Sequence, residues 1–207
     1  MNLPNKITIS RIILAILLIV ALLLPWHDLG VNIPEYVVNG ETIDLLHIIA
    51  GFVFIIACLT DFLDGYLARS KNMVTDFGKM TDAIADKILV NGVLIVLTYE
   101  RMVPVALVVV IIIRDFIVDS CKMICGNKGH VVAASYAGKA KTVCIMLGII
   151  LSLFNNYPFT YLGLPVHQLL LLLGALLSVG SGCEYYFETK DMLLAEELMK
   201  DFKSLKR

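Results

Sequence analysis

The chain has 207 residues, 58% of them hydrophobic and 17% charged, with a net charge of −1. An ordinary soluble domain is about 45–50% apolar and about a quarter charged, so a mean hydropathy of +0.83 excludes that class and marks an integral membrane protein. The near-neutral total says nothing about partners, and no nucleic-acid partner is expected.

Six apolar stretches follow one another: residues 7–24, 45–59, 83–99, 103–118, 143–154 and 166–179. Several are shorter than the roughly 20 residues a span needs, so their helices must run on into polar flanks. The second is expected to continue through Arg69 and the third to begin near Asp76. The first stretch is read as a retained span, because "LLLPWHDLG" offers no small-x-small cleavage site after the apolar core. The loop "WHDLGVNIPEYVVNGETID" carries acids and no Lys or Arg. At the other end of the chain, "EYYFETKDMLLAEELMKDFKSLKR" mixes apolar and charged residues at helical spacing, as an interfacial or solvated amphipathic helix does. The fold class expected is all-α, a six-transmembrane-helix bundle over residues 1–189 with a cytoplasmic amphipathic tail over 190–207.

Fourteen of the 17 basic residues fall on one side of that arrangement. Lys and Arg accumulate on cytoplasmic loops, so both termini and the turn between the second and third helices are expected on the cytoplasmic side of the cell membrane. The five cysteines read as free thiols packed as small hydrophobes. Cys121 and Cys125 could share a helix face, but no His/Cys set accompanies them, as a zinc site would require.

The informative stretch is "TDFLDGYLARSKNMVTDFGKMTDAIADK". Asp61 and Asp64 are three apart and Asp82 and Asp86 four apart, so each pair shares a helix face. A hairpin folded about Met73 sets Asp64 level with Asp82 and Asp61 nearly level with Asp86. Intramembrane carboxylates are expensive and usually functional, and four together raise one another's pKa. Hard divalent cations, Mg²⁺ or Mn²⁺, suit an all-oxygen donor set, and two of them would suit phosphoryl chemistry. The plainer alternative is interfacial aspartates paired with Arg69, Lys71, Lys79 and Lys87; it accounts for one such aspartate better than for four in register. Asp76 falls outside the register and reads as a cap or loop residue.

"DFLDGYLAR", eight residues, then "GKMTDAIAD" reproduces D-x2-D-G-x2-A-R-x8-G-x3-D-x3-D at all eight fixed positions: Asp61, Asp64, Gly65, Ala68, Arg69, Gly78, Asp82 and Asp86. This resembles the CDP-alcohol phosphatidyltransferases, and the six-helix pattern and length extend the resemblance over essentially the whole chain. The resemblance implies that Asp61, Asp64, Asp82 and Asp86 hold two divalent metals and that Asp86 is also the general base. It implies a CDP-linked lipid as donor, CMP as leaving group and a homodimer. Gly65, Ala68 and Gly78 would leave room for the nucleotide, or serve close helix packing, and Arg69 would bridge the diphosphate or anchor the helix end. "LPNKITISR" is similar to the family's stretch ahead of the first span, where Asn5 and Thr8 contact the nucleotide; without the family, Asn5 reads as a helix cap.

Arg114 lies deep in "VVVIIIRDFIVDS", and a buried arginine there needs an anion. That anion is either a substrate phosphate or a protein carboxylate such as Asp115 or Asp119. "SYAGKAKT" then sets Ser135, Lys139, Lys141 and Thr142 at a helix N-terminus, a ready anion site, although the two lysines also serve as positive-inside charges. Together these residues form a candidate acceptor-phosphate pocket expected to face the aspartates. They resemble the branch of the family that uses CDP-diacylglycerol and sn-glycerol 3-phosphate. Inositol phosphate, serine or phosphatidylglycerol as acceptor, an Asp-rich intramembrane prenyltransferase, and a divalent-cation transporter are the alternatives.

Overall fold

In a computed structural model, the described backbone covers residues 3–38, 41–70, 76–127 and 135–204. Side chains are described for 7–37, 42–62, 78, 80–126 and 135–190. The described elements are α1 (Leu3–Leu23), a hairpin of β1 (Glu35–Val38) and β2 (Glu41–Asp44), α2 (Leu45–Ser70), α3 (Asp76–Tyr99), α4 (Val105–Asn127), α5 (Tyr136–Leu153), a short 3-10 turn Phe159–Leu162 and α6 (Val166–Ser204). Each of the six apolar stretches forms a helix, save Leu24, Val103, Pro104 and Phe154 at their ends, and each helix extends into a polar flank. The boundaries expected at Arg69 and Asp76 match the end of α2 and the start of α3. Helix α6 continues through Ser204, so the tail from residue 190 begins as a prolongation of a membrane helix.

Three described helices are long and apolar enough to cross a membrane, over Leu45–Phe62, Tyr136–Leu153 and Val166–Lys190, and α1 adds the shorter apolar segment Ile7–Leu23. Helices α3 and α4 have the length, but Asp82, Asp86 and Lys87 on one and Arg114, Asp115 and Asp119 on the other interrupt their apolar runs. Large apolar side chains face outward as well as inward: Ile13, Leu17 and Val20 on α1, and Ile49, Ile56 and Leu59 on α2, are exposed. A helix apolar on all sides belongs in lipid, and the protein is a membrane protein.

The chain divides into two compact units, residues 1–104 with 146–169, and residues 105–145 with 170–207. In the first, α1 packs against both α2 and α3. Their contact is built on fully buried Ala15, Phe54, Ala57, Ala85, Val93 and Leu97. Small residues let the backbones approach: a Cβ added at Gly92 of α3 would lie 2.2 Å from Ile19 Cδ1 of α1.

The β1–β2 hairpin, in register Val38↔Glu41 to Glu35↔Asp44, lies in the loop after α1 and adds two short strands to a fold expected to be all-α. The overlooked signal is the dipeptide Asn39-Gly40 between "EYVV" and "ETID", a strong hairpin cue. The hairpin ends on Asp44, which caps α2 by accepting the backbone N–H of His47 at 2.7 Å, the N-cap geometry. The buried His47 ring is held between two carboxylates, Nδ1 at 2.7 Å from Asp44 and Nε2 at 2.9 Å from Glu100 just beyond α3. Burial pushes the Asp44 carboxyl up, but its bonds to the His47 ring and backbone outweigh that and hold it below the usual range.

In the second unit Val108, Ile111 and Val118 of α4 are buried, as is Leu171 of α6. At Gly174 of α6 a Cβ would come within 2.7 Å of Ile145 Cγ1, so bare glycine permits the close approach of α5. Cys121 and Cys125 are free and buried, as small hydrophobes.

Candidate active site

Thr8 and Arg11 are three residues apart on α1 and present one face of it. Both are almost fully buried, at 1% and 2% exposure. The Thr8 hydroxyl donates to Asp82 Oδ1 of α3 at 2.5 Å, and the Arg11 guanidinium donates to Asp61 Oδ1 of α2. One face of α1 binds Asp61 of α2 and Asp82 of α3, and Asp86 lies one turn beyond Asp82 on α3. Three carboxylates from two helices are thus gathered beside the polar face of a third.

Arg11 was legible only as a topogenic charge. Its i, i+3 spacing from Thr8 was the signal that it belongs with the carboxylates. Asp64, Gly65, Ala68 and Arg69 occupy the last turns of α2, with side chains outside the described residues, and so does the side chain of Asn5, the third residue of α1. Gly78 lies in the first turn of α3, half-buried.

Carboxylate oxygens are the donors a hard divalent cation takes. The buried Arg11 guanidinium is itself a cation held by one of them, Asp61. Among the described residues no three His, Cys, Asp or Glu side chains form a metal-binding group, and Asp64 is the predicted ligand that falls outside them. The donor chemistry fits, with Arg11 occupying one of the oxygens. A cavity of about 380 Å³ lined by Ile43, Ile48, Phe52 and Phe154 lies elsewhere, near the start of α2. It is apolar and carries none of these carboxylates.

In the second unit Arg114 is held from three directions. Its Nε donates to the Ser178 carbonyl at 2.7 Å, its NH1 to Asp115 Oδ1 at 3.0 Å and its NH2 to Ser181 Oγ at 2.5 Å. The Lys141 ammonium, buried at 8% exposure, donates to the same Asp115 oxygen. Asp115 therefore joins the two deepest cations of the predicted acceptor pocket. The other three members are placed differently. Ser135 caps α5, its hydroxyl accepting the Gly138 N–H at 3.1 Å, and Thr142 donates to the Gly138 carbonyl at 3.1 Å. Lys139 is exposed with its ammonium 5.5 Å from the Tyr136 ring centre.

Residues 1–180 match the CDP-alcohol phosphatidyltransferase family. This chain belongs to that family. A protein of Bacillus subtilis (strain 168) named CDP-diacylglycerol–glycerol-3-phosphate 3-phosphatidyltransferase is 38% identical over 192 residues, 93% of this chain and 97% of that one. A Rickettsia bellii protein of the same name is 33% identical over 89% of this chain and 93% of its own. One from Mycoplasma genitalium is 39% identical over 74% of this chain and 65% of its own. CDP-alcohol phosphatidyltransferases are generally dependent on divalent metals, which accords with the oxygen-rich donor set on α2 and α3.

Proposed function

We infer that the protein transfers the phosphatidyl group of CDP-diacylglycerol to sn-glycerol 3-phosphate, giving phosphatidylglycerophosphate and releasing CMP. Asp86 acts as general base, accepting the proton of a glycerol hydroxyl as its oxygen attacks the β-phosphorus and the bond to CMP breaks. Asp61, Asp64, Asp82 and Asp86 would hold two Mg²⁺ or Mn²⁺ ions, which when bound polarise the diphosphate and stabilise the leaving oxygen. Thr8 and Arg11 position Asp82 and Asp61. Asn5, Thr8, Gly65, Ala68, Arg69 and Gly78 serve the nucleotide. Arg114 and Lys141 take the acceptor phosphate, with Ser135, Lys139 and Thr142 at its rim. The protein spans the cell membrane six times as a homodimer, with both termini and the reacting groups on the cytoplasmic side.

The observation that supports this acceptor best is the cluster of Arg114, Asp115 and Lys141. A buried lysine and a half-buried arginine share one carboxylate there, leaving positive charge for an anionic group. A neutral alcohol or serine would leave it without use. The test is CMP release by the purified protein in vesicles of CDP-diacylglycerol, with glycerol 3-phosphate, serine, inositol, inositol phosphate or phosphatidylglycerol added singly. Release with glycerol 3-phosphate alone is expected. Release with serine at an equal rate would exclude the assignment.

A further inference from the structure

Arginine has five N–H donors, and the protein uses three of those on Arg114. Among the described residues two are left without a partner, one on each terminal nitrogen. Lys141 has three donors and gives one to Asp115, so two remain there as well. What fixes the direction of the free donors is a cradle on α6 that no motif of the sequence marks. Ser181 is completely buried. Its hydroxyl donates to the Leu177 carbonyl at 2.8 Å, with the Ser178 carbonyl at 3.2 Å, while accepting from Arg114, and these contacts hold it in place. One residue on, Gly182 presents bare backbone to the arginine stem: a Cβ there would stand 3.1 Å from Arg114 Cγ and 3.4 Å from Nε. Such a contact would displace the stem by a few tenths of an ångström.

We propose that Asp115, Ser181 and Gly182 are positioning residues that set acceptor specificity, by holding Arg114 and Lys141 so that their remaining donors converge on a phosphate-bearing acceptor. This rests on the acceptor reading given above. The chemistry favours positioning over charge balance. If Asp115 were merely a counter-ion, its removal would leave more positive charge and tighter phosphate binding. If it aims the two cations, removing it releases long side chains that must be ordered again when the ligand arrives. Immobilising each such chain costs about two- to tenfold in affinity.

The experiment measures KM and kcat for full-length protein in vesicles, varying glycerol 3-phosphate and CDP-diacylglycerol in turn, for Ser181→Ala, Gly182→Ala, Asp115→Asn and Arg114→Gln. Each positioning variant should raise KM for glycerol 3-phosphate by about three- to thirtyfold, the range expected for losing part of a charge-assisted hydrogen bond, with KM for CDP-diacylglycerol unchanged. Asp115→Asn must weaken acceptor binding; if it tightens it, the residue is a counter-ion and the proposal fails. If Arg114→Gln raises the acceptor KM while Ser181→Ala and Gly182→Ala do not, the cradle has no positioning role, although the acceptor site stands. If Arg114→Gln leaves the acceptor KM unchanged, the acceptor reading itself falls and this inference with it. Gly182→Ala guards against misfolding of the serine variant, since it adds one methyl beside a side chain and removes no hydrogen bond.

Discussion

Helix α2 carries clustered charge at two places along its length, and the two solve the problem differently. At its start, His47 lies between Asp44 and Glu100, with both ring nitrogens within hydrogen-bond distance of a carboxylate. Fourteen residues on, about 21 Å along the helix axis at 1.5 Å per residue, Asp61 accepts from Arg11 while Asp82 and Asp86 crowd the same region. The first cluster is closed by its own capping geometry and ties the hairpin, α2 and the end of α3 together. The second gathers carboxylates from two helices in a chain that places them against apolar runs. Carboxylates paired within a cap stabilise a fold; carboxylates accumulated against their mutual repulsion imply a cation and a reaction.

The sharpest way to break this contrast is Asp86→Asn. Losing a positioned general base costs about 10²–10⁴-fold, so turnover should collapse by that factor in a CMP-release assay. Binding of the CDP-lipid, read by the change in melting temperature on adding it, should largely survive. Asp61→Asn comes next: it should raise the Mg²⁺ or Mn²⁺ concentration for half-maximal activity by about tenfold, the size of one lost charge-assisted contact, as read from a metal titration.

His47→Gln probes the other end. It strips a charge-assisted hydrogen bond from at least one carboxylate and should lower stability by about 1.5–3 kcal/mol, seen as a lower midpoint of thermal unfolding in detergent. The acceptor KM should not move. The smallest effect is in acid. The folded-state pKa of Asp44 lies below its usual value, so its contribution to stability is fully present above the ordinary carboxylate range. That contribution is lost as the pH falls through the depressed value, below about pH 4. Wild type should therefore lose more stability than Asp44→Asn between pH 5 and pH 3, in melting curves recorded across that window.

The family was legible in the aspartate-rich part of α2 and α3, because the aspartates recur at helical spacing and because Gly65, Ala68, Arg69 and Gly78 complete a fixed pattern. The helix ends at Ser70 and Asp76 followed from span lengths that apolar runs alone could not fill. The pairing of Arg11 was missed for a physical reason: a basic residue flanking a first span already satisfies the positive-inside rule, and only tertiary packing reveals that it is buried against Asp61. The cap formed by Asp44 and His47 is a contact closed by Glu100, 53 residues away, and no local pattern announces it. The cradle of Ser181 and Gly182 was hidden in the same way, since small residues in a membrane helix normally mean helix packing. Among the expected acceptor residues, the local bonds of Ser135 and Thr142 were not legible in the sequence. Their hydroxyls are engaged with the backbone of the helix they begin.

The measurement that tests the contrast most directly is CMP release in vesicles containing CDP-diacylglycerol and glycerol 3-phosphate, compared among wild type, Asp86→Asn and His47→Gln and normalised to folded protein. The account predicts a wild-type rate per folded molecule for His47→Gln and a loss of at least about a hundredfold for Asp86→Asn. Near-normal release from Asp86→Asn, or an equal loss in both variants, would contradict it.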